Sequence, residues 1–409
     1  MVKVAIMGHG VVGCGVAELL RNNAAHIAGK AGDTIETVKI LDLREFPDCA
    51  YAEVFTKRFE DIVEDDQIRI VVETMGGLHP AYEYVKACLQ AGKSVITSNK
   101  ELVAQKGDEL LAIAKENNLN FLFEASVGGG IPIIRPLHQC LAANNVEQIA
   151  GILNGTTNFM LTKMIDDGMQ FEDALKLAQD LGYAERDPSA DVDGLDACRK
   201  ICILASLAYG KHVYPDAVST EGIRNVSLTD VQFAAAAGGV IKLIGHATKE
   251  GDKVYCTVAP RVVMNDNLLS GVKDVFNAVM VTGDAVGETV FYGKGAGKFP
   301  TASAVVADVI DAAKHLENRK ALCWDGAVDN YVGDSKERTV QMLVRVRCED
   351  AAAVWMGITN VFGTVKTVMA DNAPANEYGF ITPAMTEAVL EKKLEELQDM
   401  TVLSRIRLL

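Results

Sequence analysis

The sequence has 409 residues, of which 49% are apolar and 23% charged, and its formal net charge is −15. This balance is that of a globular protein of two or three domains, and the acidic excess argues against a nucleic-acid partner, because phosphate binding needs a basic surface. No apolar run approaches the roughly 20 residues needed to cross a bilayer, and the start, MVKVAIMGHG, lacks a signal-peptide cleavage site. The nine cysteines are scattered without metal-ligand spacing. We therefore expect a cytoplasmic protein with no membrane partner.

The first residues of the chain predict a dinucleotide-binding turn. Residues 2–7 form a short β-branched run, Gly8, Gly10 and Gly13 follow as G-x-G-x-x-G, and a helical pattern begins directly after them. In such a turn Gly8 makes the sharp bend, Gly10 lets a pyrophosphate approach the backbone, and Gly13 permits close contact of helix and strand. The N-terminus of the helix offers unpaired N–H groups to the phosphates.

The second predicted strand, residues 36–42, bears on the choice of cofactor. It ends in Asp42, whose carboxylate can accept hydrogen bonds from ribose hydroxyls and would repel a 2′-phosphate. Its distance from Gly13 exceeds the usual ~20 residues, and we attribute the difference to an insertion containing residues 28–33. Arg44 lies two residues further on and favours the opposite choice, NADP. We predict NAD, with NADP as the alternative.

The next elements complete a doubly wound pattern. A buried strand over residues 68–73 precedes a helix from about 80 to 92, and a helix over 107–117 leads to a strand over 121–126. Lys100, in the tetrapeptide Thr-Ser-Asn-Lys, follows the strand SVIT. Ligands bind at the carboxyl ends of parallel strands, so this lysine is either a ligand contact or a solvated loop residue.

Two irregular segments follow in the middle of the chain. The glycine-rich stretch VGGGIPIIRP, residues 127–136, has a backbone whose carbonyls could hold a hard cation, although a plain turn is the simpler interpretation. Residues 151–161, GILNGTTNFML, predict a strand, a hydroxyl-rich turn and a helix. We expect Thr156 or Thr157 to cap that helix, and such a turn also suits a substrate carboxylate.

Residues 182–200 contain the strongest candidate for a catalytic site. Asp196 and Lys200 are four residues apart in a good helical pattern and therefore share one face. An exposed ion pair of little energetic value is the alternative. The residues after Lys200 are almost wholly apolar, however, so this face leads toward a buried helix. With Glu185 and Asp191 close by in the sequence, we predict a site rather than a surface.

At these residues the sequence resembles the homoserine dehydrogenase family. Residues 178–200 follow its signature as A-x3-G-Y-A-x2-D-P-x2-D-V-x-G-x-D-x3-K. The segments TSNKELVA, FEASVGGGIPII, GILNGTTNFML, IKLIGHA, FNAV and GKGAGKFPTASAVVADVI are similar to the family's segments, in its order, over residues 1–320. The resemblance implies reversible NAD(P)-dependent reduction of L-aspartate 4-semialdehyde to L-homoserine, in the pathway to threonine, methionine and isoleucine.

The resemblance also implies a fold and an assembly. A Rossmann-type doubly wound parallel sheet would span residues 1–126, with a helix at about 296–316 returning to it. An α+β catalytic and dimerisation domain would span residues 127–295. We therefore expect an α/β protein that forms a homodimer or homotetramer.

Roles for individual residues come from the same resemblance. Lys200 matches the catalytic acid/base, with Asp196 close to the reacting group, and Lys100 matches a lysine near the nicotinamide. The implied substrate-binding residues are Gly155, Thr156, Tyr183, Glu185, Asp191 and Asp196. The implied cofactor-binding residues are Gly8, Gly10, Val11, Val12, Gly13, Asp42, Thr74, Lys100, Gly182, Gly295 and Gly297. Carbonyls of Glu124, Val127, Gly129 and Ile131 match a sodium site.

The last seventy residues predict a separate small domain. Residues 317–337 lack a regular period and are expected to form a linker, and residues 338–409 follow the order βαββαβ of a ferredoxin-like fold. This part resembles an ACT regulatory domain. Where such domains usually have a Pro-Gly turn, the chain has Glu349-Asp350-Ala351-Ala352. We expect an ACT-like domain used for assembly or weak sensing.

Two other functions compete with this interpretation. An aspartate-semialdehyde dehydrogenase needs a nucleophilic cysteine, for which Cys140 and Cys198 qualify only by residue type. A non-catalytic dinucleotide sensor would need only the glycine turn, and the presence of Lys200, Asp196, Glu185 and Lys100 together argues against it.

Overall fold

The computed structural model describes residues 1–409, except for the side chain of Ala352. The chain forms two compact units. The first comprises residues 1–147, 202–217 and 282–329, and the second comprises residues 148–201, 218–281 and 330–409. The predicted domain boundaries at 126, 295 and 338 remain predictions. None of the helices in the described residues is long and apolar enough to cross a membrane.

The helices and strands alternate along most of the chain. The strands are β1 (Val2–Met7), β2 (Ile35–Leu41), β3 (Phe55–Thr56), β4 (Ile68–Glu73), β5 (Ser94–Thr97), β6 (Phe121–Leu122), β7 (Val146–Ile152), β8 (Ser219–Thr220), β9 (Gly239–Glu250), β10 (Lys253–Met264), β11 (Phe276–Gly283), β12 (Gly287–Lys294), β13 (Thr339–Val340), β14 (Met342–Arg347), β15 (Lys366–Val368), β16 (Glu377–Ile381), β17 (Met385–Thr386) and β18 (Thr401–Leu408). The α-helices are α1 (Val11–Asn22), α2 (Ala24–Ala31), α3 (Glu60–Val63), α4 (Ala81–Gln90), α5 (Lys100–Glu116), α6 (Ala125–Gly128), α7 (Gly155–Asp166), α8 (Phe171–Asp180), α9 (Ser189–Val192), α10 (Leu195–Tyr209), α11 (Leu228–Ala237), α12 (Lys298–Lys314), α13 (Ala351–Phe362) and α14 (Glu387–Glu395).

The first unit is built on a six-stranded sheet in the order β3-β2-β1-β4-β5-β6. Its strands are all parallel, as expected for short apolar runs separated by helices. The predicted Rossmann-type sheet is confirmed. The extra residues between β1 and β2 form α2, which accounts for the long spacing between Gly13 and Asp42. Helix α12 packs on α1, where a side chain on Gly15 would meet the Cβ of Ala302.

Two element boundaries in this unit differ from the prediction. Helix α5 begins at Lys100 rather than Gly107, because the Asn99 side chain caps it by accepting a hydrogen bond from the backbone N–H of Leu102. Strand β6 ends at Leu122 rather than residue 126. The chain turns there because the buried carboxylate of Glu124 accepts hydrogen bonds from the N–H groups of Ile133 and Ile134.

The second unit contains a mixed sheet in which β11, β7, β9, β10, β18, β14, β16 and β15 are neighbours in that order. Strands β9 and β10 form a long antiparallel hairpin of twelve residues each. Both strands are largely buried and apolar, so this hairpin is covered on both faces.

Residues 339–409 form the far end of this sheet. The order β18-β14-β16-β15, with neighbours antiparallel, is that of a ferredoxin-like βαββαβ fold, as predicted. Strand β18 also pairs in parallel with β10, which joins the two parts of the second unit in one sheet. Helix α13 begins at Ala351. The segment 349–352, which stands where ACT domains usually have a Pro-Gly turn, therefore lies at the N-terminus of this helix. The side chain of Ala352 lies outside the described part of the chain.

A buried ionic network also connects these two parts of the second unit. Arg345 on β14 donates to Asp230 on α11 at 2.9 Å and to Glu377 on β16 at 2.5 Å. Asp230 also closes a capping box with Ser227. Because all three charged groups are almost wholly buried, α11 and the ferredoxin-like segment depend on one another.

Candidate active site

The glycine turn of the first unit has the geometry that a pyrophosphate needs. Gly8 has φ +93°, and a Cβ on Gly13 would lie 2.0 Å from the carbonyl oxygen of Gly8. A Cβ on Gly10 would meet nothing within 4 Å, so the space above the turn is open. Helix α1 begins at Val11 without a side-chain cap. The N–H groups of its first turn are therefore available to an anionic ligand.

Thr74 supports this turn from the neighbouring strand. Its hydroxyl donates to the carbonyl oxygen of Gly8 at 2.9 Å. The sequence predicts Thr74 as a cofactor contact, and the structure gives its hydroxyl a bond to the turn itself. Such a bond fixes the turn before any ligand arrives.

Asp42 lies at the end of β2, beside the glycine turn. Its carboxylate accepts hydrogen bonds from the backbone N–H of His9 at 2.8 Å and from the guanidinium of Arg44 at 2.9 Å and 3.0 Å. The Arg44 hydrogen bond is the main reason that the pKa of Asp42 is held below its usual range. A cavity of about 270 Å³ adjoins this pair and is also lined by Phe55 and Lys57. The glycine turn, the open helix N-terminus and this acidic strand end together fit a nicotinamide dinucleotide.

Lys100 is the first residue of α5 and follows the C-terminal end of β5. Its neighbour Asn99 is buried and links two loops, because its amide donates to the carbonyl of Gly77 at 2.6 Å. Lys100 therefore lies at the sheet edge where ligands of open parallel sheets bind.

The loop predicted to hold a cation is buried in the first unit. Glu124, Val127 and Ile131 are each at most 2% exposed. Gly129 has φ +56°, and a Cβ there would lie 2.2 Å from the carbonyl oxygen of Gly295, so the two glycine segments are in direct contact. Among the described residues, no group of three or more His, Cys, Asp or Glu side chains could hold a metal ion. Any cation here would be bound by backbone carbonyls, which are suitable ligands for a hard ion.

The Glu124 side chain has a structural task in that loop. Besides its bonds to residues 133 and 134, it accepts hydrogen bonds from the backbone N–H and the guanidinium of Arg135. Arg135 in turn pairs with the buried Asp308 of α12 at 3.2 Å. Burial raises the pKa of Asp308 to about 8. Gly297, with φ +121°, precedes the same helix.

The second unit brings Asp196 and Lys200 together in a buried position. Lys200 Nζ donates to Asp196 Oδ2 at 2.8 Å and to the carbonyl oxygen of Leu153 at 2.8 Å. Asp196 is 3% exposed and Lys200 is 7% exposed. This is not an exposed surface pair, and a buried lysine held by a carboxylate is a candidate for proton transfer.

Asn154, which is not among the predicted site residues, is the centre of this cluster. Its amide nitrogen donates to Asp191 at 2.6 Å and to Asp196 at 2.8 Å. Its amide oxygen accepts from the backbone N–H of Thr157 and caps α7. The predicted cap, Thr156 or Thr157, is therefore wrong, because Asn154 occupies the N-cap position. The segment NGTT contains several residues that could cap a helix, and only the fold decides among them.

The other predicted substrate residues lie near the start of α7 and on the loop before α9. A Cβ on Gly155 would lie 2.8 Å from the carbonyl of Val275. The Thr156 hydroxyl donates to the carbonyl of Tyr183 at 2.7 Å, so the two segments touch. Tyr183 is 45% exposed, and Gly182 has φ +74°. Glu185 is exposed on that loop, where its carbonyl accepts from Gln179.

A second buried lysine, Lys242 of β9, supports α7 from below. Its Nζ donates to the side-chain oxygen of Asn158 at 3.0 Å and to the carbonyl of Val272 at 2.5 Å. The Asn158 amide donates to the carbonyls of Asp274 and Phe276. Burial lowers the pKa of Lys242 to about 8. In the sequence, only the motif IKLIGHA marks this residue.

Comparisons with known proteins identify the family of the chain. The family model described as "Homoserine dehydrogenase, NAD binding domain" matches residues 8–124, and the model described as "Homoserine dehydrogenase" matches residues 132–310. The homoserine dehydrogenase of Bacillus subtilis is 36% identical, over 99% of this chain and 97% of that protein. The chain belongs to the homoserine dehydrogenase family.

Solved structures give the same result. The crystal structure of a homoserine dehydrogenase from Thiobacillus denitrificans has a TM-score of 0.91 and 36% identity, and covers 100% of this chain and 98% of that one. A hyperthermophilic archaeal homoserine dehydrogenase in complex with NADPH has a TM-score of 0.65 and 31% identity, over 76% of this chain and 97% of that one. The chain is therefore an oxidoreductase that uses a nicotinamide cofactor and interconverts L-homoserine and L-aspartate 4-semialdehyde.

Proposed function

We propose that Lys200 is the acid/base residue of this reaction and that Asp196 holds it in place. The observation that carries the proposal is the buried Lys200–Asp196 pair, in which the lysine also donates to the Leu153 carbonyl. Both acceptors hold Nζ in one position, and a fixed proton donor is what a reacting oxygen needs.

The charge of Lys200 fits the two directions of the reaction. A nicotinamide cofactor, when bound, would supply a hydride to the aldehyde carbon or accept one from the alcohol carbon. In reduction, the Lys200 ammonium stabilises the negative charge that builds on the carbonyl oxygen and then gives that oxygen a proton. In oxidation, a neutral Lys200 removes the hydroxyl proton. Because the reference pKa of lysine is about 10.4 and neighbouring carboxylates favour its charged form, we expect oxidation to be faster at alkaline pH.

Variants of Lys200 test the assignment. Lys200→Met removes the proton donor, and Lys200→Arg keeps a charge that is not given up near neutral pH. Both should reduce kcat in each direction by roughly 100-fold or more, with the fold unchanged by circular dichroism. The absorbance of the reduced nicotinamide with homoserine or its aldehyde as substrate gives the rate. A Lys200→Met protein with wild-type kcat would overturn the proposal.

The carboxylates and small groups around this pair are the proposed substrate site. Glu185 and Asp191 would bind the amino group of homoserine. The N-terminus of α7, with Gly155 and Thr156, would bind its carboxylate, and Tyr183 would line the pocket. The contact between Thr156 and Tyr183 supports this grouping. Substitutions of these residues should raise KM and change kcat little, and that result would support their binding roles.

We propose NAD as the preferred cofactor. Asp42 is the observation in favour, because a carboxylate at this strand end accepts the ribose hydroxyls and repels a 2′-phosphate. Arg44 is bonded to the same carboxylate, however, and would be released to a phosphate if Asp42 were neutralised. Asp42→Asn should therefore move the ratio of kcat/KM values toward NADP, and Arg44→Ala should move it toward NAD. The NADPH-bound archaeal relative makes NADP the alternative.

We also propose a cation site, further cofactor contacts and a role for the C-terminal segment. The carbonyls of Glu124, Val127, Gly129 and Ile131 would hold a sodium ion, and Gly182, Gly295 and Gly297 would contact the cofactor through their backbones. Residues 339–409 would be an ACT-like domain used for assembly or weak sensing, in a homodimer or homotetramer. Nine free cysteines are consistent with a cytoplasmic protein.

A further inference from the structure

Glu73, the last residue of β4, is a carboxylate that none of the proposed proton-transfer steps uses. It is 0% exposed and lies among buried apolar strands. Burying a carboxylate is unfavourable unless it is well hydrogen-bonded. Burial raises the pKa of Glu73, and hydrogen bonds from Thr97, Met75 and Gly76 oppose that rise. The positions of these donors show which segments the Glu73 carboxylate holds together.

One oxygen of Glu73 organises the loop that follows β4. Oε1 accepts hydrogen bonds from the backbone N–H of Met75 at 2.7 Å and of Gly76 at 3.2 Å. Gly76 and Gly77 have φ +77° and +70°, a conformation that favours glycine. The carboxylate thus fixes a turn that has few side chains to hold it.

The other oxygen reaches the loop that follows β5. Oε2 accepts a hydrogen bond from the Thr97 hydroxyl at 2.5 Å, and the Thr97 oxygen accepts from the backbone N–H of Asn99 at 2.9 Å. The Asn99 amide donates to the carbonyl of Gly77, which closes a ring of hydrogen bonds between the two loops. Asn99 also caps α5, whose first residue is Lys100.

We infer that Glu73 and Thr97 are positioning residues that set the place of Lys100 for the reaction. The ring of hydrogen bonds holds the N-terminus of α5 in a fixed position relative to the loop after β4. The adjacent Thr74 ties the same strand end to Gly8 of the glycine turn. The end of β4 therefore connects three segments of the first unit: the glycine turn, the loop after β4 and the loop after β5. The inference rests on the proposed role of Lys100 near the nicotinamide.

Thr97→Val tests the inference with little change of shape, because it removes only the hydroxyl from the ring. It should lower kcat/KM for homoserine by roughly tenfold or more, since small misplacements of a catalytic group are costly. Thr97→Ser retains a hydroxyl and should restore most of that loss. Thr382→Val is the matched control: Thr382 is 1% exposed, and its hydroxyl accepts from the backbone N–H of Met342 in the ferredoxin-like segment. It should lower the melting temperature without the kinetic loss.

A double-mutant cycle with Lys100→Ala separates positioning from a general structural role. If Thr97 acts through Lys100, Thr97→Val should cause no further loss of kcat/KM in the Lys100→Ala background. An equal loss in both backgrounds, or an equal loss in Thr382→Val, would overturn the inference.

The single variants Lys100→Ala and Thr97→Val distinguish failure of this inference from failure of the proposed role of Lys100. Wild-type kcat/KM in Lys100→Ala would overturn the proposed role of Lys100 and this inference with it. A loss in Lys100→Ala with none in Thr97→Val would overturn only the inference. Lys200 variants report on the proton-transfer proposal independently of both.

Discussion

Asn154 offers a stringent test of the buried cluster, because one isosteric change reverses its hydrogen bonding. In Asn154→Asp, the oxygen that caps α7 is retained, since aspartate and asparagine are equally good N-cap residues. The amide nitrogen becomes a carboxylate oxygen. Two donor contacts, to Asp191 and Asp196, are replaced by contacts between like charges.

The two lost hydrogen bonds determine how far Asn154→Asp lowers the unfolding free energy. Each lost hydrogen bond to a charged group is worth about 1.5–3 kcal/mol, so the two lost bonds should lower the unfolding free energy by about 3–6 kcal/mol, and repulsion among the three carboxylates adds to this loss. For a unit of this size each kcal/mol lowers the melting temperature by roughly 2–4 °C. The displaced Asp196 no longer orients Lys200, and kcat should fall on the order of 100-fold.

The effect should depend on pH in a defined direction. Repulsion raises the pKa of a carboxyl group in the folded state. Stability is then retained at low pH and lost as pH rises through that folded pKa. The difference in unfolding free energy between wild type and Asn154→Asp should therefore be smallest at acid pH, where the carboxyl groups are protonated, and should grow as pH rises and they ionise.

Urea denaturation and steady-state kinetics of three proteins decide the outcome. Asn154→Ser is the control, because serine still caps the helix but is too short to reach both carboxylates. It should lose stability by the missing donors alone, without the added repulsion and its pH dependence. If Asn154→Asp matched Asn154→Ser in stability at every pH, or kept wild-type kcat, the reasoning about the cluster would be wrong.

Three further predictions concern other parts of the chain. Gly129→Ala should cost at least about 2 kcal/mol of unfolding free energy, because Gly129 has a positive φ and a Cβ there would contact the Gly295 carbonyl. Gly29→Ala in α2 should instead stabilise the protein by about 0.5–1 kcal/mol, because a Cβ there meets nothing within 4 Å. Calorimetry of the two variants measures both effects. The folded pKa of Lys242, about 8, lies below the unfolded value of about 10.4, so the unfolding free energy of wild type relative to Lys242→Met should be flat below pH 8 and rise between these two pH values. A constant difference in denaturant titrations from pH 7 to 10 would contradict this. Arg345→Met should cost about 3–5 kcal/mol, because the buried carboxylate of Asp230 loses its guanidinium partner while Glu377 keeps Arg347. An unchanged melting temperature would argue against the network.

The nucleotide-binding fold could be predicted from sequence because its signals are local. The glycine turn directly follows a strand, and each later strand is a short apolar run, so neighbouring residues alone indicate the parallel sheet. The helical spacing of Asp196 and Lys200 likewise placed them on one face, and their burial followed from the apolar residues after them.

The bridging role of Asn154 could not be predicted in the same way. Its partners Asp191 and Asp196 are 37 and 42 residues away in sequence, and they meet only once α7, α9 and α10 have packed. Glu73 was missed for a related reason. The last residue of an apolar strand, read alone, gives no sign that its carboxylate connects two loops.

The pairing of β18 with both β10 and β14 has a consequence for synthesis of the chain. Residues 401–408 are made after every other strand of the second unit, yet they lie between two of those strands in the finished sheet. While the ribosome is still adding earlier residues, β10 and β14 each present an open edge where β18 will go. Open edges invite pairing with other chains. Expression yield in cells should therefore respond more to substitutions in the last strand than the modest exposure of its side chains would lead one to expect.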